Sequence, residues 1–165
     1  MSGIPRPTIV ALSSGAVPSG VAVYRISGPA ARDVASSVAG PVPGARRASL
    51  RWFRQPGTGE RLDRGLLLWL PAPGSFTGED SVELQGHGGP AVVSAVLDAI
   101  LSIAGTRLAE PGEFARRAFG NGRLDLTAVE GLADLVAAET EAQRRQALRQ
   151  MDGALERLYG GWRDE

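Results

Sequence analysis

The junction between a predicted strand and a predicted helix at residues 81–104 constrains the fold most. The strand, SVELQGHGG, alternates apolar residues around Glu83 and ends in three glycines that surround the only histidine, His87. The helix, PAVVSAVLDAILSIA, has apolar residues at helical spacing and a proline in its first turn. The glycines favour a tight turn that backbone or a ligand can approach closely. We therefore expect a domain that combines strands and helices.

The same periodicities predict further strands and helices. Helical spacing predicts a helix over residues 29–39, again with proline in its first turn, and a short helix over residues 111–119. Alternation and β-branched residues, bounded by turn residues, predict strands elsewhere. These predicted strands cover residues 8–14, 21–28, 50–54 and 64–72, with a short strand within residues 106–110.

Composition changes after residue 122, where almost every segment favours helix. Thr127 with Glu130 forms one possible capping box, and Thr140 with Gln143 forms a second. Two helices, or one kinked helix, are therefore expected.

An apolar series near the end of the sequence steps by three and four residues and predicts a seam that needs a partner surface. Its members are Leu148, Met151, Leu155, Leu158 and Trp162. We predict an α+β domain with a mixed sheet over residues 1–122, followed by the start of an all-helical domain over residues 123–165.

Composition excludes several kinds of site. The chain has no cysteine, which rules out disulfides, thiolate zinc sites and cysteine nucleophiles. Its formal net charge is zero, which argues against nucleic-acid binding by bulk electrostatics. All 18 basic residues are arginine, an effect of codon bias or, alternatively, a supply of bidentate anion contacts. No signal peptide or membrane span is evident, so we expect a soluble, cytoplasmic protein without a membrane partner.

Three kinds of site compete for the SVELQGHGG segment. A metal site is disfavoured, because there is one histidine and Glu79, Asp80 and Glu83 lack EF-hand spacing. GHGGP precedes a helix, which suits anions, but a P-loop needs a lysine and the chain has none. The third alternative is a slot for a flat polar ligand.

The flat-ligand alternative fits the residues best. A strand carboxylate such as Glu83 can accept two parallel hydrogen bonds from the aminopyrimidine edge of a pterin. The glutamate tail of a folate would then favour arginine, and Arg25 and Arg123 are candidates if the fold brings them near. The glycines after Glu83 would keep this slot open.

Simpler explanations remain for each residue taken alone. Alternation places Val21, Val23 and Arg25 on one face of a strand. Taken alone, Arg25 is better explained as a surface or salt-bridging arginine, and Glu83 as an edge-strand carboxylate in water.

Four segments together resemble the N-terminal part of the tRNA modification GTPase family known as MnmE or TrmE. They are TIVALSS…GVAVYRISG, GSFTGEDSVELQGHGGP, EPGEFARRAFGNGRLDLTAVEGLADLV and AQRRQAL. The resemblance implies an α+β domain related to the folate-binding aminomethyltransferase of glycine cleavage, and a homodimer formed through that domain. It also implies that 5-formyltetrahydrofolate or a related one-carbon folate contacts Arg25, Glu83 and Arg123. Many relatives have lysine at the last of these positions.

The resemblance further implies a longer protein. In that family the helical domain contains an inserted potassium-dependent GTPase domain, and a cysteine motif closes the chain. With the FAD protein MnmG, the whole protein adds a carboxymethylaminomethyl-type group to the wobble uridine of tRNA. GTP, Mg and K belong to the GTPase domain, which this sequence does not contain. We expect no catalytic or metal-binding residue here, and no GTP hydrolysis or tRNA modification by this chain alone.

Two other functions remain open. A stand-alone folate-dependent aminomethyl or formyl transferase would need a general base, for which Asp125, Glu113 and His87 are candidates. A purely structural dimer scaffold would need no ligand.

Overall fold

The computed structural model describes residues 6–151 and divides the chain into two units, before and after the Pro111–Gly112 bond. Within the described residues, the first unit contains six strands and two helices, and the second contains three helices. The strands are β1 (Thr8–Leu12), β2 (Ser19–Ser27), β3 (Ala48–Arg54), β4 (Arg61–Leu70), β5 (Ser81–Gly88) and β6 (Thr106–Leu108). The helices are α1 (Ala31–Ala39), α2 (Pro90–Leu101), α3 (Glu113–Gly120), α4 (Leu126–Ala137) and α5 (Glu141–Met151).

The strands form a single mixed sheet, which confirms the predicted α+β class. Their order is β3-β4-β5-β2-β1-β6, and β1 pairs in parallel with β6 while the other neighbours are antiparallel. The predicted starts of β3 and β4 lie two and three residues late. Polar residues at these positions resemble turn residues locally, but ladder hydrogen bonds with the neighbouring strand hold them extended.

One face of the sheet is covered by α1 and α2. Ala22, Tyr24 and Ile26 of β2 are fully buried on this face, as their alternation predicts. The apolar sides of the helices pack on them through Val34, Val38, Val96 and Ile100. Burial of these branched side chains stabilises the unit by about 1.5–3 kcal/mol each.

We call the opposite side of the sheet the open face, defined by Val21, Val23, Arg25, Leu50, Trp52, Leu66, Leu68, Glu83 and Gln85. Cα partners in adjacent strands lie on the same side of a sheet. The register pairs Glu83 with Arg25 on one side and Leu68 on the other, and Gln85 with Val23 and Leu66. Val21, Leu50 and Leu66 of this face are 56%, 52% and 39% exposed. Apolar side chains therefore surround a polar row along β5.

The second unit contains a helical hairpin of α4 and α5. A Cβ at Gly131 would lie 3.0 Å from the side chains of Gln150 and Met151, so the absent side chain lets the two helices approach closely. Two helices rather than one kinked helix are present in the described residues. The seam residues Leu148 and Met151 are partly buried, whereas Leu155, Leu158 and Trp162 lie outside the described residues.

One of the two predicted capping boxes is confirmed and the other is wrong. Thr140 Oγ1 accepts from Gln143 N at 3.3 Å, and Gln143 Oε1 accepts from Thr140 N at 2.9 Å. Thr127 lies inside α4, because Asp125 is the N-cap and accepts from Ala128 N at 2.7 Å. The helix therefore begins two residues earlier than predicted, because the Asp125 carboxylate accepts from a free backbone N–H of the first turn.

The division at Pro111–Gly112 precedes the predicted domain boundary at residue 122, so α3 belongs to the second unit. The assignment of residues 123–165 to a larger helical domain stays a prediction. None of the helices in the described part of the chain is long and apolar enough to cross a membrane.

Candidate functional site: an arginine–glutamate pair on the open face

The centre of the candidate site is an ion pair between two adjacent strands. Antiparallel pairing of β2 with β5 sets Arg25 directly opposite Glu83, although 58 positions separate them in the sequence. Arg25 Nε and Nη2 donate to the same oxygen, Glu83 Oε1, at 3.1 and 2.9 Å. The structure therefore brings together two of the three predicted ligand-binding residues.

The pair is partly shielded from water. The side chain of Glu83 is 15% exposed and that of Arg25 is 33% exposed. Glu83 lies on the third strand of six, so the explanation as an edge-strand carboxylate in water is wrong. Its other oxygen, Oε2, has a long contact of 3.5 Å with Gln85 Nε2. A fixed carboxylate with one weakly engaged oxygen is suited to accepting hydrogen bonds from a ligand.

Phe76 completes one side of the pair, and the sequence reasoning did not single it out. The Arg25 guanidinium carbon lies 5.6 Å from the centre of the Phe76 ring, within cation–π range. Phe76 is 37% exposed, so its ring also meets solvent beside the pair. An aromatic residue inside the polar turn GSFTGED is the signal that could have identified it.

Buried hydroxyls hold the turn that carries Phe76. Ser27 Oγ lies 2.7 Å from Thr77 Oγ1 and donates to Glu79 Oε2 at 2.9 Å. Ser81 Oγ also donates to Glu79 O at 3.2 Å. This network ties the turn to β2 and β5 next to Arg25 and Glu83, and so fixes the position of the aromatic ring.

The glycines after Glu83 have a different role from the predicted one. A Cβ at Gly86 would meet the Asp63 carboxylate and the Phe53 ring, on the side of β5 opposite to Glu83. A Cβ at Gly88 would meet Ser19. These two glycines make room for close packing within the sheet, so the prediction that they keep a slot open beside Glu83 is wrong. Gly89 does form the expected tight passage into α2.

His87 is held by an aspartate that sequence reasoning placed in a turn. Asp63 Oδ2 accepts from the His87 backbone N–H at 2.8 Å, and Asp63 Oδ1 lies 2.7 Å from His87 Nδ1. The Asp63 side chain is 7% exposed and that of His87 is 70% exposed. This contact ties β4 to the end of β5.

Tyr24 lies on the covered face with its hydroxyl buried and without a hydrogen-bond partner among the described atoms. Burial, reinforced by the negative charge of Asp63, raises the pKa of Tyr24 to about 12. The phenol therefore stays neutral in the folded protein through the physiological range.

The remaining candidates lie in the second unit. Arg123 is exposed and its backbone N–H donates to Ala118 O, so its part in a ligand site stays a prediction. Glu113 is buried and paired with Arg117 at 2.9 Å, and Asp125 caps α4. Both carboxylates thus have structural contacts, and a role for either as a general base stays a prediction.

No cluster of three or more histidine, aspartate or glutamate side chains suited to a metal is found between residues 6 and 151. The expectation that the chain holds no metal stays a prediction.

The fold and the site together define a class: an α+β domain whose mixed sheet carries a shielded arginine–glutamate pair on an open face. Residues 8–123 match the family described as "GTP-binding protein TrmE N-terminus", and the chain belongs to that family.

Named relatives agree with this family. The chain is 60% identical over 157 residues to "tRNA modification GTPase MnmE" of Azorhizobium caulinodans, which covers 95% of this chain and 36% of the relative. It is 60% identical over 167 residues to "5-taurinomethyluridine-[tRNA] synthase subunit GTPB3, mitochondrial" of Homo sapiens, which covers 98% and 34%. The chain spans about a third of the length of these curated relatives.

Proposed function

We propose that this chain is the folate-binding part of a tRNA modification GTPase of the MnmE type. The observation that carries the proposal is the Arg25–Glu83 pair, fixed by strand register on the open face beside Phe76. The ligand is 5-formyltetrahydrofolate or a related one-carbon folate. Arg123 is the third proposed contact.

The pair supports binding of a pterin through its geometry. Arg25 holds Oε1 of Glu83 and so orients the carboxylate before a ligand arrives. Glu83 Oε2 then accepts from the amino and ring N–H groups of the pterin edge, while the flat ring lies beside Phe76. Such preorganisation lowers the entropic cost of placing a one-carbon donor. No residue of this chain acts as a conventional catalyst in this proposal.

The activity of the whole protein extends the proposal beyond this chain. Relatives are named as tRNA modification GTPases, which supports a role in modifying the wobble uridine of tRNA. GTP hydrolysis, with its Mg and K ions, would reside in a separate domain, and MnmG and tRNA would be partners of the full-length protein. A cytoplasmic location stays a prediction, since some relatives are named mitochondrial.

A second copy of the chain is the proposed partner of the part of the open face that lies outside the ligand site, at Val21 and Leu50. These two apolar side chains are 56% and 52% exposed. Burial of such a surface favours association. Sedimentation of the chain should show a dimer, and Leu50→Asp should shift it toward monomer. A monomeric parent chain would contradict this part of the proposal.

Calorimetric titration with 5-formyltetrahydrofolate tests the binding function. We expect saturable binding by the parent chain and none by Glu83→Gln, which keeps the side-chain shape but removes the charge. Glu139→Gln, an exposed change between α4 and α5, is the matched control and should bind normally. Equal affinity in a folded Glu83→Gln variant would remove the assignment. A dimer that ignores folates would instead support a purely structural scaffold.

A further inference from the structure

Trp52, Arg61 and Arg64 form a cationic cluster on the open face, near the turn that joins β3 to β4. The guanidinium carbons of Arg61 and Arg64 lie 4.4 and 5.4 Å from the centre of the Trp52 ring. Trp52 is 37% exposed and both arginines are exposed. We call this group the Trp52 cluster.

The two positive charges of the Trp52 cluster have no ion-pair partner among residues 6–151. Asp63 is the nearest carboxylate in sequence to Arg64, but its oxygens are engaged by His87 and by the Arg64 backbone N–H. Glu60 is exposed and forms no ion pair with either arginine. Two unpaired guanidinium groups held on one indole favour an anion with more than one negative charge.

The position of the cluster relates it to the Arg25–Glu83 pair. Leu66 is opposite Gln85, and Arg64 lies two residues further along β4, on the same face. The cluster is therefore about four strand residues from Glu83, on the order of 13 Å. Val23 and Leu66 lie on either side of Gln85, between the two sites, and offer an apolar surface.

We propose that the Trp52 cluster binds the glutamate tail of the folate whose pterin lies at Arg25 and Glu83, and that it prefers polyglutamate tails. This inference rests on the proposed folate-binding function. A folate is a polar pterin joined through a benzoyl ring to glutamate carboxylates. An extended folate along β5 places the pterin at Glu83, the benzoyl ring over Val23 and Leu66, and the carboxylates at Arg61 and Arg64. Arg25 is then a pterin-side residue, because Glu83 occupies its guanidinium.

Titration of the full chain with 5-formyltetrahydrofolate carrying one or three glutamates tests the inference. We expect the triglutamate to bind about tenfold tighter to the parent chain, with a preference that weakens as salt rises. Arg61→Gln/Arg64→Gln should lose this preference, with a larger loss of affinity for the triglutamate than for the monoglutamate. Arg47→Gln/Arg149→Gln removes the same charge from exposed arginines elsewhere and should keep the preference.

The outcomes separate this inference from the proposed function. Binding of both folates with equal affinity in the parent chain overturns the role of the Trp52 cluster and leaves the pterin site in place. Binding of neither folate overturns both. RNA binding that depends on Arg61 and Arg64, without a preference for tail length, would assign the cluster to phosphates and overturn the inference.

Discussion

At the scale of single residues, the Arg25–Glu83 pair matters more for ligand binding than for stability. Its partly exposed geometry is worth about 1 kcal/mol or less to folding. The same geometry fixes the direction of a carboxylate on an otherwise apolar face. Variants at this pair should therefore alter ligand affinity far more than the free energy of unfolding.

Phe76 is predicted to position the ligand through its ring. Phe76→Leu keeps an apolar side chain but removes the aromatic face beside Arg25, so we expect folate affinity to fall about three- to tenfold. The matched control is Phe119→Leu, which changes another exposed phenylalanine in the second unit. Calorimetry on both variants, with thermal unfolding as a check of folding, measures the effect. Equal affinities would show that Phe76 has no part in binding.

Tyr24 is predicted to weaken the fold at alkaline pH. Its pKa is about 12 in the folded protein and about 10 when unfolded. Between these values the unfolded phenol releases a proton that the folded one retains, so stability is lost as pH rises from about 10 to 12. No lysine or cysteine side chain titrates in this range, because the chain has neither.

Denaturant unfolding across this pH range tests the effect of Tyr24. Between pH 9 and 12, the free energy of unfolding of the parent chain should fall by about 1–3 kcal/mol more than that of the Tyr24→Phe variant. Tyr159→Phe changes the other tyrosine, which lies outside the described residues, and should retain the loss. Identical pH profiles for the parent chain and Tyr24→Phe would contradict the assignment.

At the scale of elements, β5 serves two purposes on its two sides. Glu83 and Gln85 face the open side, whereas Gly86 faces Asp63 and Phe53. Gly86→Ala should cost about 1–3 kcal/mol of unfolding free energy, because the added methyl overlaps the Asp63 carboxylate. Gly20→Ala in β2 is the control, since a Cβ there meets nothing within 4 Å. Chemical denaturation should separate the two variants, and equal stabilities would refute the packing role of Gly86.

The cap of α4 gives a second comparison between neighbouring positions. Asp125→Ala removes the acceptor for Ala128 N and should destabilise the second unit by about 1 kcal/mol. Thr127→Ala changes a residue inside the helix and should have a smaller effect. Thermal unfolding of both variants measures the difference. A larger loss for Thr127→Ala would favour the capping box that the sequence pattern predicts.

Local patterns predicted the elements well but missed contacts between distant residues. Alternation correctly separated Ala22 and Tyr24 from Val21 and Arg25, because a strand has a period of two residues. The exact partner of Arg25 depends on strand order and register, which long-range packing decides. Asp63 was missed for the same reason, since its partner His87 lies on another strand.

At the scale of the whole molecule, the proposed ligand-binding residues are divided between the two units. The first unit contains the sheet, the Arg25–Glu83 pair and the Trp52 cluster. Arg123 lies in the second unit, and its contact with the ligand stays a prediction. The family resemblance implies three ligand contacts, at Arg25, Glu83 and Arg123. Strand pairing brings the first two of these residues together.

A crystal structure of the chain with bound 5-formyltetrahydrofolate tests the central claim most directly. We predict ligand density on the open face, with the pterin edge about 3 Å from Glu83 Oε2 and the ring beside Phe76. Density confined to another surface, with Glu83 and Arg25 paired as before and no ligand near them, would contradict the account.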